Sequence, residues 1–138
     1  MSVRQLRLVV TASDYDAALA FYRDALGLVE LGAFTGDHGA VTILDAGRAT
    51  LELSDAAHAH HIDDVEVGRR VAGHVRVAFE VDDVDSVTRR LDAAGATVLA
   101  EPVLTPWGSQ NARLEAPAGL QLTLFQEPKG DRPEAVVA

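Results

Sequence analysis

The chain has 138 residues, 48% of them hydrophobic, which is the length and apolar content of one packed domain and excludes wholesale disorder. It carries no cysteine, so disulfides, thiolate metal sites and thiol nucleophiles are excluded and a reducing compartment is expected. With 21 acidic and 12 basic residues the formal charge is −9, which disfavours nucleic acid and anionic lipid and raises the local concentration of cations.

The opening stretch, Met1 to Val10, is broken by Arg4 and Arg7 and lacks the apolar run of a signal peptide. No span is long enough to cross a bilayer, and a cytoplasmic location is expected. Arg7-Leu8-Val9-Val10 alternates as a strand. Ser13-Asp14 then opens a helix through Ala17, Ala18, Phe21, Tyr22 and Leu26, closed by Gly27. Three extended segments follow, at Leu28 to Phe34, Ala40 to Asp45 and Ala49 to Ser54, separated by Gly36-Asp37-His38-Gly39 and Asp45-Ala46-Gly47 turns. Residues 55–73 read as a short polar helix, capped by Ser54 or Asp55, and a connector.

From Val75 the pattern recurs. Val75, Val77, Phe79 and Val81 alternate, Asp82-Asp83 cap a helix carrying Val84, Val87 and Leu91, and Gly95 ends it. Thr97 to Leu104, Gln110 to Glu115 and Leu120 to Gln126 are again extended, with turns at Pro106-Trp107-Gly108 and Ala116-Pro117-Ala118-Gly119. The prediction is α+β: two βαβββ modules, residues 3–54 and 74–127, sharing a concave sheet around one cavity, because neither module could bury a core alone. Residues 128–138, rich in proline and charge, read as a flexible tail.

The segments SDYDAALAFYRDALGL (13–28), LELS (51–54), VAFEVDDVDSV (77–87) and APAGLQLTLFQ (116–126) resemble the vicinal oxygen chelate superfamily of glyoxalase I, extradiol dioxygenases and bleomycin-resistance proteins. The resemblance implies four inward-facing side chains that hold a divalent ion, usually His or Gln and Glu from each module. The matching positions here are Arg7, Glu52, Arg76 and Thr123, and only Glu52 is of a usual ligand type. Two guanidiniums would repel a cation, so no metal and no cofactor are expected at this position. His74, two residues before Arg76, would restore a ligand if the strand register were shifted by two.

Arg7, Glu52 and Arg76 are therefore expected to converge as an ion network, with one negative and two positive groups on the cavity floor. They either satisfy one another or bind a carboxylate, enolate or phenolate. Two adjacent arginines should lower the pKa of Glu52 and make it a poor proton reservoir. Trp107 resembles the Pro-Trp-Gly turn of bleomycin-resistance-like members, and either stacks on a planar ligand or anchors its turn. Phe34, Gln121 and Phe125 are further inward candidates. His58, His60 and His61, with Asp63 and Asp64, read as a solvated helix face rather than a metal site, although His58 and His61 stand one turn apart. Glu80 and Asp82 read as a solvated strand position and a cap.

The leading functional expectation is metal-independent binding of an aromatic or natural-product-like small molecule, with resistance by sequestration as its use. The resemblance implies a homodimer. A lyase, isomerase or dioxygenase-like enzyme using the same cavity is the alternative; a pure interaction module would lack a ligand-sized cavity.

Overall fold

In the computed structural model, residues 3–25, 27–116 and 119–128 are described, apart from the Phe21 side chain. The Leu26 position, the Pro117-Ala118 turn and the tail from residue 129 lie outside the described residues.

Eight strands form one curled sheet: β1 (Gln5–Thr11), β2 (Val29–Gly36), β3 (Gly39–Asp45), β4 (Thr50–Ser54), β5 (Val75–Glu80), β6 (Thr97–Leu104), β7 (Gln110–Glu115) and β8 (Gln121–Gln126). Their spatial order is β2-β3-β4-β1-β5-β8-β7-β6. Each module begins with a strand that pairs in parallel with that module's last strand, β1 with β4 and β5 with β8. The modules meet through the antiparallel β1/β5 pair, where Val9 faces Arg76. Two copies of one topology thus join back to back, as the internal repeat predicts.

Alternation assigns the faces. On the outer face, Leu44, Leu51 and Leu53 are buried beneath α1 (Tyr15–Leu19), with Tyr15, Ala18, Leu19 and Tyr22 packed against them. In the second module Ala112, Leu114 and Leu124 receive Val84 and Val87 of α3 (Val84–Ala93). Burying each such valine contributes roughly 1.5–3 kcal/mol. Asp14 caps α1 by accepting from Ala17 N at 3.0 Å, and Asp83 caps α3 by accepting from Ser86 N at 3.2 Å. The first helix continues into a wider π-helical turn, Ala20–Ala25, before Gly27 turns the chain at φ 86°.

The linker helix α2 (Ala56–Glu66) lies on the opposite, concave face. Asp55 caps it, accepting from His58 N at 2.9 Å. It is not a solvated polar helix: His58, Ile62, Asp63 and Glu66 are buried. Glu80 likewise departs from expectation. It is buried because even-numbered β5 positions face inward, where Glu80 lies opposite Phe125, with Arg4 Nε at 3.9 Å. Asp82 is not the cap; it is exposed and ion-paired to Arg4 Nη1 at 2.8 Å. Among the described residues no helix is long and apolar enough to cross a membrane.

Candidate functional site

Strand parity brings four side chains to the centre of the concave face. Val9 is the cross-strand partner of both Glu52 and Arg76, while Ala78 partners both Arg7 and Thr123. Arg7, Glu52, Arg76 and Thr123 therefore surround the joint between modules, and all are buried. Arg7 Nη1 lies 3.6 Å from Glu52 Oε1, its Nε donates to Gln5 Oε1 at 2.7 Å, and its guanidinium stands 4.7 Å from the centre of the Phe125 ring. Arg76 Nη1 donates to Thr123 Oγ1 at 2.7 Å.

This donor set does not fit a divalent ion. A guanidinium attends each of the two oxygen-bearing side chains, so the positions that would ligate a metal are already engaged with cations. Among the described residues no three His, Cys, Asp or Glu side chains are grouped to hold one.

A second set of charges, not anticipated from the sequence, covers the first. Thr123 Oγ1 donates to Glu66 Oε1 of α2 at 2.9 Å, and Asn111 Nδ2 donates to Glu66 Oε2 at 2.8 Å. Arg113, fully buried on β7, donates from Nε to Glu66 Oε1 at 3.0 Å and from Nη1 to Asp63 Oδ1 at 2.7 Å. The other oxygen of Asp63 accepts from Val71 N and Ala72 N, both at 2.9 Å, fixing the connector after α2. The expected floor of one negative and two positive groups is thereby corrected. Three arginines (7, 76, 113) and three carboxylates (52, 63, 66) gather on this face, because α2 folds inward and brings two of its acidic residues. The signal for this lay in parity: Arg113 is two positions along β7 from Asn111 and faces Thr123 across the β7/β8 pair, so it must point inward.

The expectation for Glu52 is also overturned. Complete burial raises its pKa, and that effect exceeds the opposing pull of Arg7 and Arg76. Burial lowers the pKa of Arg76, with Glu66 opposing the shift.

The remaining candidates separate. Gln121 is half-buried and bridges the network, accepting from Arg113 Nη1 at 3.1 Å and donating to the Val71 carbonyl. Phe125 faces inward beneath Arg7. Trp107 is half-buried at the cavity rim on a turn closed by Thr105, whose Oγ1 accepts from Ser109 N at 3.1 Å. His74 is exposed just before β5, where its carbonyl accepts from Thr11 N at 2.9 Å. Phe34 is exposed on edge strand β2, away from the cavity. Of the histidines, His60 is exposed and His61 stacks on His38 at 3.8 Å. The rings of His58 and His61 are 6.1 Å apart and tilted.

Between α2 and the sheet remains a recess of about 30 Å³, bordered by Arg7, Glu52, Glu66, Arg76, Trp107 and Phe125, room for roughly two waters. Ile62 and Glu66 of α2 cover what would otherwise be an open concave surface.

No curated protein matches the chain. A hypothetical protein from Bacillus halodurans C-125 is similar in structure, with a TM-score of 0.71 at 17% identity over 96% of this chain and 100% of that one. A methylmalonyl-CoA epimerase in complex with methylmalonyl-CoA and NH4+ has a TM-score of 0.66 at 21% identity over 96% and 100%. The epimerase from Mycobacterium tuberculosis has a TM-score of 0.60 at 18% identity over 91% and 87%. At these identities the likeness establishes the fold alone. The family model of the Glyoxalase/Bleomycin resistance protein/Dioxygenase superfamily matches residues 4–132, and the chain belongs to that superfamily.

Proposed function

We propose that this chain is a metal-independent binding protein for a small anionic molecule, aromatic or natural-product-like, acting in the cytoplasm as a homodimer, with sequestration as its use. The observation that carries the reading is the state of Arg76. This buried guanidinium has five N–H donors to satisfy, yet among the described residues it makes one side-chain hydrogen bond, to Thr123, and has no carboxylate within 4.0 Å. A ligand carboxylate, enolate or phenolate would complete it, with Trp107 and Phe125 as ring contacts. The recess is smaller than such a ligand, which on size alone suits an interaction module. Arg76 lines the recess with N–H donors that no protein acceptor among the described residues takes up, which favours an anionic ligand that enters when α2 or the Trp107 turn yields.

A second reading, a metal-free isomerase or lyase, is favoured by Glu52. A carboxyl whose pKa is raised by burial is suited to carry a proton, and methylmalonyl-CoA epimerase, an enzyme, shares the fold.

Elemental analysis of untagged protein, with thermal shifts in Ni²⁺, Zn²⁺, Mn²⁺ and Fe²⁺, tests metal independence; one ion bound tightly per chain would overturn it. Trp107 is the chain's single tryptophan. Its fluorescence should respond to anionic aromatic ligands, with affinity at least about tenfold weaker in Arg76→Met, the worth of one charge-assisted hydrogen bond. Solvent deuterium entering a ligand C–H bond, abolished by Glu52→Gln, would favour the enzyme.

A further inference from the structure

Beside this recess, sharing Ile62 with it, lies a second, more enclosed chamber between α2 and strands β1, β4 and β5. Its volume is about 10 Å³, room for roughly one water-sized group. Glu52 and Arg76 border both compartments; His58, from the first turn of α2, borders only the inner one.

His58 is held in place from two sides. Its backbone N–H is tied to the Asp55 cap, and the cap in turn sits against Gly39, which turns at φ 85° with no room for a Cβ. The His38 backbone engages the imidazole, whereas Nε2 is buried and has no hydrogen-bond partner among the described residues. A buried polar atom left without a partner is costly, so its retention favours a partner that comes and goes.

His58 and Arg76 both line the chamber, and between them they bring to it an imidazole nitrogen without a partner and N–H donors that no protein acceptor takes up among the described residues. A carboxylate has no hydrogen for the imidazole, and an ammonium has no lone pair for the guanidinium. A hydroxyl has both. Because one guanidinium borders both compartments, the hydroxyl and the anionic group that Arg76 also holds must be close together on the ligand.

We propose that the inner chamber is a one-oxygen hydroxyl subsite that selects an α-hydroxycarboxylate, the hydroxyl oxygen accepting from Arg76 and its hydrogen donated to His58 Nε2. This rests on the anion-binding reading of Arg76 given above. It adds a specificity-determining residue outside the four positions shared with metal-dependent relatives.

The test is NMR of protein labelled with ¹⁵N in its histidines, titrated with glycolate, acetate and methoxyacetate, which differ in having, lacking or capping the hydroxyl. In the free protein His58 Nε2 should be an unprotonated acceptor. Glycolate should move its resonance and bind about tenfold more tightly than the other two, the worth of one hydrogen bond to a charged group. Equal binding of all three with His58 undisturbed would overturn the subsite and leave the Arg76 reading standing. A proton resident on Nε2 in the free protein would overturn it as well. Failure of all three carboxylates to bind would overturn the hydroxycarboxylate assignment, while the Arg76→Met comparison with aromatic anions reports separately on the parent reading. In His58→Phe the glycolate preference should disappear with acetate affinity retained; the wild-type spectra decide the matter even where that variant folds poorly.

Discussion

Arg113 Nε donates to Glu66 Oε1 at 3.0 Å, joining β7 of the second module to the helix that links the modules, across 47 residues of sequence. Glu66 also receives Thr123 and Asn111, and Arg113 also holds Asp63. Every group in this cluster is buried, so it binds α2 to the concave face as a unit and closes the cavity that a bare sheet would leave open.

Arg113→Met should therefore destabilise the protein by about 3–5 kcal/mol, because two buried carboxylates lose their cation. Arg113→Lys should fall between, since a point charge cannot reproduce the fork that reaches Asp63 and Glu66 together. Urea unfolding measures both, and a double variant with Glu66→Met should recover part of the loss.

Thr123 Oγ1 accepts from Arg76 and donates to Glu66, so it is the link between the two charge sets. Thr123→Val removes that link and leaves both partners short of a hydrogen bond, at a cost of about 1–3 kcal/mol. Thr123→Ser should stay close to wild type in the same denaturant assay.

Burial acts oppositely on the stability contributions of His58 and Glu52 as pH changes. The pKa of His58 is lowered by burial, with the neighbouring His61 and Arg76 adding to the effect and the His38 backbone and Asp55 opposing it. Its contribution is present above the ordinary histidine range and is lost as pH falls. Glu52 is raised, so its contribution is present at acid pH and is lost as pH climbs out of the ordinary carboxylate range. Unfolding free energies measured across pH should lose the acid-side decline attributable to His58 in His58→Phe, and the rise-side loss attributable to Glu52 in Glu52→Gln.

At Gly39 an added Cβ would collide with Asp55 Oδ1 and the His58 backbone nitrogen, on a backbone already at φ 85°. Gly39→Ala should break the α2 cap and cost more than about 1 kcal/mol. Gly36→Ala, where nothing lies within 4 Å, should be mild by comparison in thermal unfolding.

The repeat, the strand parity and the capping pairs Ser13-Asp14, Ser54-Asp55 and Asp82-Asp83 were legible in the sequence because each is local; the structure chose the second member of each pair. Alternation of period two assigns a face without knowledge of the partner strand, and a short polar residue beside the start of a helical run marks its cap to within a residue. The convergence of Arg7, Glu52, Arg76 and Thr123 was implied by the resemblance to the superfamily, whose ligand positions they occupy, and the strand pairing brings them together. Their burial, and hence the direction in which Glu52 shifts, did not follow, because desolvation depends on what covers the sheet. That cover is α2, whose polar composition read as solvated. Asp63 and Glu66 are buried because Arg113 lies 50 and 47 positions away in sequence yet opposite them in space, a pairing no local pattern encodes. His58 moved from surface to interior with the same helix, whereas Glu80 is interior by the parity of β5. Short-range periodicity determined which residues share a face, and only the tertiary closure of α2 over that face decided which charges were desolvated, which were paired, and which were left with bonds to make.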